Sequence, residues 1–261
     1  MADAAVTRVI TTEARQAWRA LGSRVAQARF ELAGRRRRAP LGPVQVESHL
    51  RNGYLLASGL IPKDVVEAAT AAAWECTGAD PDRPNTWAGL GPHPHFLDDE
   101  RLLACYDDDV LAAAAQLVGD HPATYARPRQ TMTVNRLPIS RSTWRRLGAH
   151  LDYSLPEWHH RSLPPPFRIA AMTYLTPVRS QGGATVVWPK SHRRVAALAR
   201  SDPGRFELLS DLNEALASLD LEDPIEIEAD PGDVLFLDAY CVHAGSDNLG
   251  ERPRLAINRK W

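Results

Sequence analysis

Apolar residues near a 3.6-residue period open the chain: Val9, Ala17, Leu21, Val25 and Phe30 predict helix over residues 1–34. The basic run Arg35 to Arg38 interrupts this pattern, and Pro40 and Pro43 mark a linker. Residues 52–61 read as a short strand running into a turn. Pro62 then opens a helix that continues to about Cys76. Residues 79–98 are rich in Pro and Gly and read as loop, and residues 99–118 form a second helix stopped by Gly119. From Tyr125 the period changes to two. Strands are predicted near 129–136, 147–152, 168–175, 184–188, 225–229, 233–238, 240–243 and 253–259, with helices at 193–199 and 204–218. Helices first and many short strands afterwards predict an α+β, mainly β fold, with helices packed on one face of a β-sandwich or jelly roll. The chain divides into an N-terminal helical extension and linker, residues 1–43, and one domain, residues 44–261.

Composition narrows the function classes. A chain of 261 residues is long enough for one sizeable core. Its 44% hydrophobic and 24% charged residues are those of an ordinary globular protein. A formal net charge of −1 gives no global pull toward nucleic acid or an anionic membrane, so neither is expected as a partner and Arg35 to Arg38 read as solvated surface. No run approaches the roughly 20 apolar residues of a bilayer span. Thr7 and Arg8 break the only early apolar stretch, so no secretory signal is read. Cys76, Cys105 and Cys241 are far apart and form no CxxC, which fits a reducing, cytoplasmic setting.

Two separated segments carry the candidate chemistry. In Gly148-Ala-His150-Leu-Asp152-Tyr153, a strand would point His150 and Asp152 to one face. A histidine beside a carboxylate is two thirds of a facial triad, which leaves three positions on iron open. Almost a hundred residues later, Pro231-Gly232-Asp233 signals a turn, and the apolar run that follows reads as a buried strand delivering His243. Arg254 lies eleven residues beyond His243. A guanidinium fork at that place matches a carboxylate in bidentate fashion. Arg252 competes for the role, and the spacing together with Pro253 favours Arg254.

With these residues in view, the chain resembles the phytanoyl-CoA dioxygenase family of Fe(II)- and 2-oxoglutarate-dependent oxygenases over about residues 50–261. The resemblance rests on residues 53–62, the pair His150 and Asp152, residues 182–192, residues 231–233, and His243, Asn248 and Arg254. It implies a double-stranded β-helix (a cupin-like jelly roll) backed by helices. It also implies iron ligation by His150, Asp152 and His243, with Arg254 on the distal carboxylate of 2-oxoglutarate. The implied reaction uses O2 to hydroxylate an unactivated C–H bond of a small-molecule metabolite, as in secondary metabolism. Desaturation, ring closure or epimerisation with the same cofactors stay open, as does an inactive jelly-roll binding protein. Asp152 fills the carboxylate position, which argues against a halogenase. Lys190 stands where the family usually has Gly.

Further residues are candidates on position alone. Thr185, Asn135 and Thr133 could hydrogen-bond the cosubstrate from barrel strands. Tyr153, Trp158, Arg161 and Trp87 are candidates for the substrate side, because residues 154–167 form a long loop next to the metal pair that reads as a lid, framed by residues 84–98. His93, His95, His159 and His160 lack a third ligand at sensible spacing and read as surface or substrate-side residues.

Overall fold

The structure is a computed structural model describing residues 39–91, 93–140, 142–152 and 160–261. The helix expected over residues 1–34 and the run Arg35 to Arg38 lie outside the described residues, as do Tyr153, Trp158 and His159. Packing begins before the expected boundary. Leu41 is buried, and the Gln116 side chain donates to its carbonyl at 2.8 Å and accepts from its amide at 3.2 Å. Pro43, expected in the linker, is the first residue of helix α1 (Pro43–Asn52), where its missing N–H would have had no helical partner. Gly53 ends α1 at φ 82° and leads into β1 (Tyr54–Ala57), then α2 (Lys63–Thr77).

The helix expected over residues 99–118 is broken in two, α3 (Glu100–Leu103) and α4 (Asp108–Val118). The Asp107 carboxylate accepts from Asp109 N and Val110 N, which starts a fresh helix at that point. Within the expected 79–98 loop, Pro84–Leu90 winds into a 3-10 helix and Phe96–Leu97 forms β2.

β1 and β2 join β3 (Thr131–Thr133), β4 (Ile169–Tyr174), β7 (Val234–Asp238) and β9 (Ala256–Lys260) in an antiparallel sheet of order β1-β7-β4-β9-β3-β2. A second sheet has the order β6-β5-β8, from β5 (Thr185–Val187), β6 (Ile225–Ile227) and β8 (His243–Ala244). Two antiparallel sheets facing one another form the jelly-roll core expected from the alternating pattern. Every residue of β4 is buried, because both of its faces are covered. Ile169 and Ala171 face a core shared with Val66, Ala69 and Ala114 of α2 and α4. Ala170, Met172 and Tyr174 face the space between the sheets with Ala184, Val187 and Leu235. Beyond this layer of helices, α5 (Ser191–Ser201) and α6 (Leu209–Ala215) cover the small sheet, where Val195, Leu209 and Leu212 meet Val186, Val242 and Ala244. The second of these helices starts later than expected, because Asp202 to Leu208, including Pro203 and Gly204, turns first. No helix among the described residues is long and apolar enough to cross a membrane.

Two expected strands differ. Residues 147–152 make no regular strand; they touch the small sheet through the isolated bridge of His150 with His243, and Arg146 just before them bridges Ser246 beyond β8. The apolar run 233–243 is not one strand with a short break. Cys241 N donates to Asp238 O at 2.8 Å and Tyr240 N to Asp238 Oδ1 at 2.8 Å, so the chain turns sharply and passes from the large sheet to the small one.

His49 on α1 is buried with neither ring nitrogen partnered among the described residues, beside His192 at the start of α5. Burial, helped by His192, lowers the His49 pKa from 6.5 to about 3, and burial with the Arg193 charge lowers that of His192 to about 4. Both stay neutral when folded and take up protons when unfolded. Stability is therefore full above the unfolded pKa and falls as pH drops through 6.5 toward those folded values. Between pH 7 and 5 each histidine is expected to remove about 2 kcal/mol. Denaturant titrations at the two pH values should show a shallower acid loss in His49→Leu; an unchanged loss would place its origin elsewhere.

Candidate metal centre

The small sheet brings two distant segments together at one pair. His150 N donates to His243 O at 2.9 Å and His243 N donates to His150 O at 3.1 Å. The imidazoles therefore leave the backbone side by side, with ring centroids 4.6 Å apart. Asp152 follows His150 by two residues. Its Oδ1 lies 3.6 Å from His243 Nε2 and 4.0 Å from His150 Nε2. One potential ligand atom from each of the three residues lies within 4.8 Å of the others.

Backbone carbonyls orient both rings. His150 Nδ1 lies 3.0 Å from Gly148 O, and His243 Nδ1 lies 3.0 Å from Cys241 O. A carbonyl can only accept, so Nδ1 carries the proton in each neutral ring and Nε2 presents its lone pair toward Asp152. Burial, then the His243 charge, lowers the pKa of His150. For Asp152, burial works to raise the carboxyl, but His243, Lys260 and His150 together hold it below the usual carboxylate range. Burial works to lower His243, and the adjacent Asp152 outweighs it and raises the pKa.

The three residues open on a cavity of about 240 Å3 between the sheets. Arg254 lies in its wall, 2% exposed, with Nε unpartnered and one terminal nitrogen 3.4 Å from Met172 Sδ. Burial lowers its pKa to about 10, so the guanidinium remains charged at neutral pH. A buried cation without a counter-ion is costly, and the cavity in front of it is the natural place for an anion. Arg252, by contrast, is exposed and donates to Pro81 O at 2.7 Å, outside the cavity.

Residues 50–256 match the sequence profile of the phytanoyl-CoA dioxygenase (PhyH) family. The chain belongs to this family. Its members are iron- and 2-oxoglutarate-dependent oxygenases, which makes the protein an oxidoreductase by class. Among solved structures, the fold is similar to that of the non-heme alpha ketoglutarate dependent carbocyclase SnoK from nogalamycin biosynthesis. The TM-score is 0.57 at 20% identity, over 84% of this chain and 82% of the other. It is similar also to EctD from S. alaskensis with 2-oxoglutarate and 5-hydroxyectoine, with TM-score 0.57, 18% identity, and 87% and 77% of the two chains covered. The epimerase SnoN in complex with Fe3+, alpha ketoglutarate and nogalamycin RO gives TM-score 0.54 at 16% identity, over 82% and 80%. At these identities the likeness is one of fold. Curated proteins yield no match.

In this phytanoyl-CoA dioxygenase family member, the remaining candidates divide. Thr185 lines the cavity, its hydroxyl 3.1 Å from Tyr174 OH and 3.4 Å from Met172 Sδ. Thr133 and Asn135 border the cavity with their side chains engaged elsewhere. Thr133 Oγ1 accepts from His95 N at 2.8 Å, and Asn135 Nδ2 donates to Leu90 O at 3.0 Å. They pin the segment that places His93 and Pro94 at the rim. Trp87 packs near Trp74 and donates to Asp80 O at 2.9 Å, and exposed Arg161 pairs with Glu207 at 3.1 Å; neither lines the cavity. Tyr153, Trp158 and the first part of the expected lid, residues 154–159, lie outside the described residues.

Sequence reasoning missed Asn258 and Lys260. Register places Asn258 opposite Met172 and Lys260 opposite Ala170, so both share the inner face with Arg254. The alternation 254, 256, 258, 260 was the available signal. Asn258 presents an unpartnered Oδ1 in the cavity wall. Lys260 Nζ lies 3.3 Å from Asp152 Oδ2, which divides the carboxylate: one oxygen faces the histidines, the other the lysine.

A buried guanidinium whose Nε has no partner among the described residues, and whose one contact given for a terminal nitrogen is a thioether, destabilises the protein without ligand. Arg254→Met is expected to raise its unfolding free energy by about 1–3 kcal/mol, the cost of one unsatisfied buried donor. Chemical denaturation checks this, and a destabilised variant would mean that Arg254 is satisfied by contacts within the protein.

Proposed function

We propose that His150, Asp152 and His243 hold Fe(II), that Arg254 anchors the distal carboxylate of 2-oxoglutarate, and that the protein oxidises a C–H bond of a small-molecule metabolite. The observation that carries this reading is the pairing, in one cavity, of the two Nε2 atoms and one carboxylate oxygen with a buried guanidinium that has no counter-ion among the described residues. Two imidazoles and a carboxylate suit Fe(II) and leave adjacent coordination positions free. The donor set and the anion anchor therefore fit both groups. When bound, iron(II) with 2-oxoglutarate supplies the oxidising chemistry, coupling O2 and decarboxylation of the cosubstrate to oxidation of the substrate.

The chain itself supplies position and shielding. Carbonyls of Gly148 and Cys241 engage each Nδ1 and leave each Nε2 free to hold the ion, and Lys260 engages one Asp152 oxygen, leaving the other for the metal. Thr185 offers a hydroxyl beside Arg254 as a second contact for the cosubstrate. The apolar wall of Met172, Met132 and Leu90 limits water. Hydroxylation is the outcome we assign. Ring closure, epimerisation and desaturation would use the same residues, and product analysis separates them.

Adding Fe(II) and 2-oxoglutarate without oxygen should produce the weak visible charge-transfer band of a chelated ferrous site. His243→Ala should lose it, and a retained band with full turnover would refute the ligand assignment. Arg254→Ala should raise the 2-oxoglutarate requirement roughly ten- to hundredfold, the equivalent of one charge-assisted hydrogen-bonded contact. Arg252→Ala should change it far less. The opposite ranking would move the anchor to Arg252.

A further inference from the structure

The cavity holds a second guanidinium. Arg136 lines it together with Arg254, and the two residues are direct cross-strand partners: Arg136 N donates to Arg254 O at 2.8 Å and Arg254 N donates to Arg136 O at 2.9 Å. Residues opposite one another in an antiparallel pair project from the same face, where like charges destabilise. Arg136 Nε is buried without a partner, and no ion pair forms at Arg136 among the described residues. Burial lowers its pKa and Asp247 opposes this; that acid is itself 3.7 Å from Arg145.

The seat of the side chain is shaped for it. A Cβ on Gly245 would stand 2.0 Å from an Arg136 terminal nitrogen, and one on Gly183, whose φ is +79°, would stand 2.7 Å from Arg136 Cβ. Gly245 is two residues from His243, so this backbone notch seats the guanidinium near the candidate metal centre. Charge points the same way. With both cofactors bound, iron(II) and two guanidiniums would share the cavity with one lining carboxylate, itself shared with Lys260, and the two negative charges of 2-oxoglutarate would leave positive charge over.

We propose that Arg136 binds a carboxylate of the primary substrate, so that the cavity takes two organic acids, the cosubstrate on Arg254 and the substrate on Arg136. This rests on the reading of the site given above. The planar fork of Arg136 matches a carboxylate, and the small cavity limits the substrate to a compact acid.

The test uses Mn(II) in place of iron, saturating 2-oxoglutarate, and 13C-acetate as the probe. Paramagnetic broadening of the acetate signal reports a carboxylate held close to the metal. Wild-type protein should broaden acetate with 2-oxoglutarate bound. Arg136→Gln should reduce acetate affinity at least tenfold while binding 2-oxoglutarate within about threefold of wild type, the mirror image of Arg254→Gln. Gly245→Ala, which keeps the arginine and fills its seat, should act like Arg136→Gln and decides the matter if that variant does not fold. Absent broadening in the wild type, or equal broadening in the variants, would overturn the proposal. So would a loss of 2-oxoglutarate affinity in Arg136→Gln as large as in Arg254→Gln, since Arg136 would then serve the cosubstrate. If 2-oxoglutarate fails to bind wild-type protein, the reading of the site falls instead. Acetate broadening with Mn(II) alone, present or absent in Arg136→Gln, then decides for the second anion site by itself.

Discussion

The two backbone hydrogen bonds between His150 and His243 are the contact on which the site depends. They join segments almost a hundred residues apart, across the edge of the small sheet, at one isolated pair rather than along a ladder. Because directly opposed residues project together, that single pair sets the two imidazoles side by side and brings Asp152 within reach of both. The local carbonyls of Gly148 and Cys241 then choose the ring nitrogen that faces inward. Much of the fold can be understood as holding this pair in place. The turn at Asp238 to Cys241 carries the chain from the large sheet to the small one, and α5 and α6 cover the outer face of the sheet that His243 belongs to.

Between the sheets the balance is different. The apolar faces of β4, β7 and β9 close most of the space with Ala170, Leu235 and Ala256, but β9 also carries Asn258 and Lys260 on that inner face, and Arg254 lies just before it. Burying such groups opposes folding unless each finds a partner. Lys260 finds Asp152; Arg254 and Asn258 retain unpartnered atoms in the cavity wall. A cavity kept polar at the cost of stability is the signature of a site built around a ligand, and it explains why the interior is not packed throughout.

Reading the chain as a sequence put forward His150, Asp152, His243 and Arg254, because metal and anion chemistry restrict the residue types and because strand spacing puts His150 and Asp152 on one side; the structure brings the four to one cavity. Helix α2 and strands β4, β5 and β7 fell close to their expected bounds, since each has a strong pattern or a Pro or Gly stop. The expectation of one helix over 99–118 failed because Asp107 caps locally, and a capping side chain competes with a continuous apolar pattern. The strand expected at 147–152 has only bridges, since partner availability, not propensity, decides pairing at a sheet edge.

What the sequence determined by itself was the set of chemical groups and the fold class, because periodicity and side-chain chemistry are local properties. It could not decide which faces meet. Arg136 becomes part of the cavity only because the segment after β3 pairs with Arg254 through an isolated bridge and because Gly183 and Gly245 leave it room. Lys260 reaches Asp152 only through the register of β9 on β4. Such juxtapositions join residues over a hundred positions apart, and only the packing of one sheet on another specifies them.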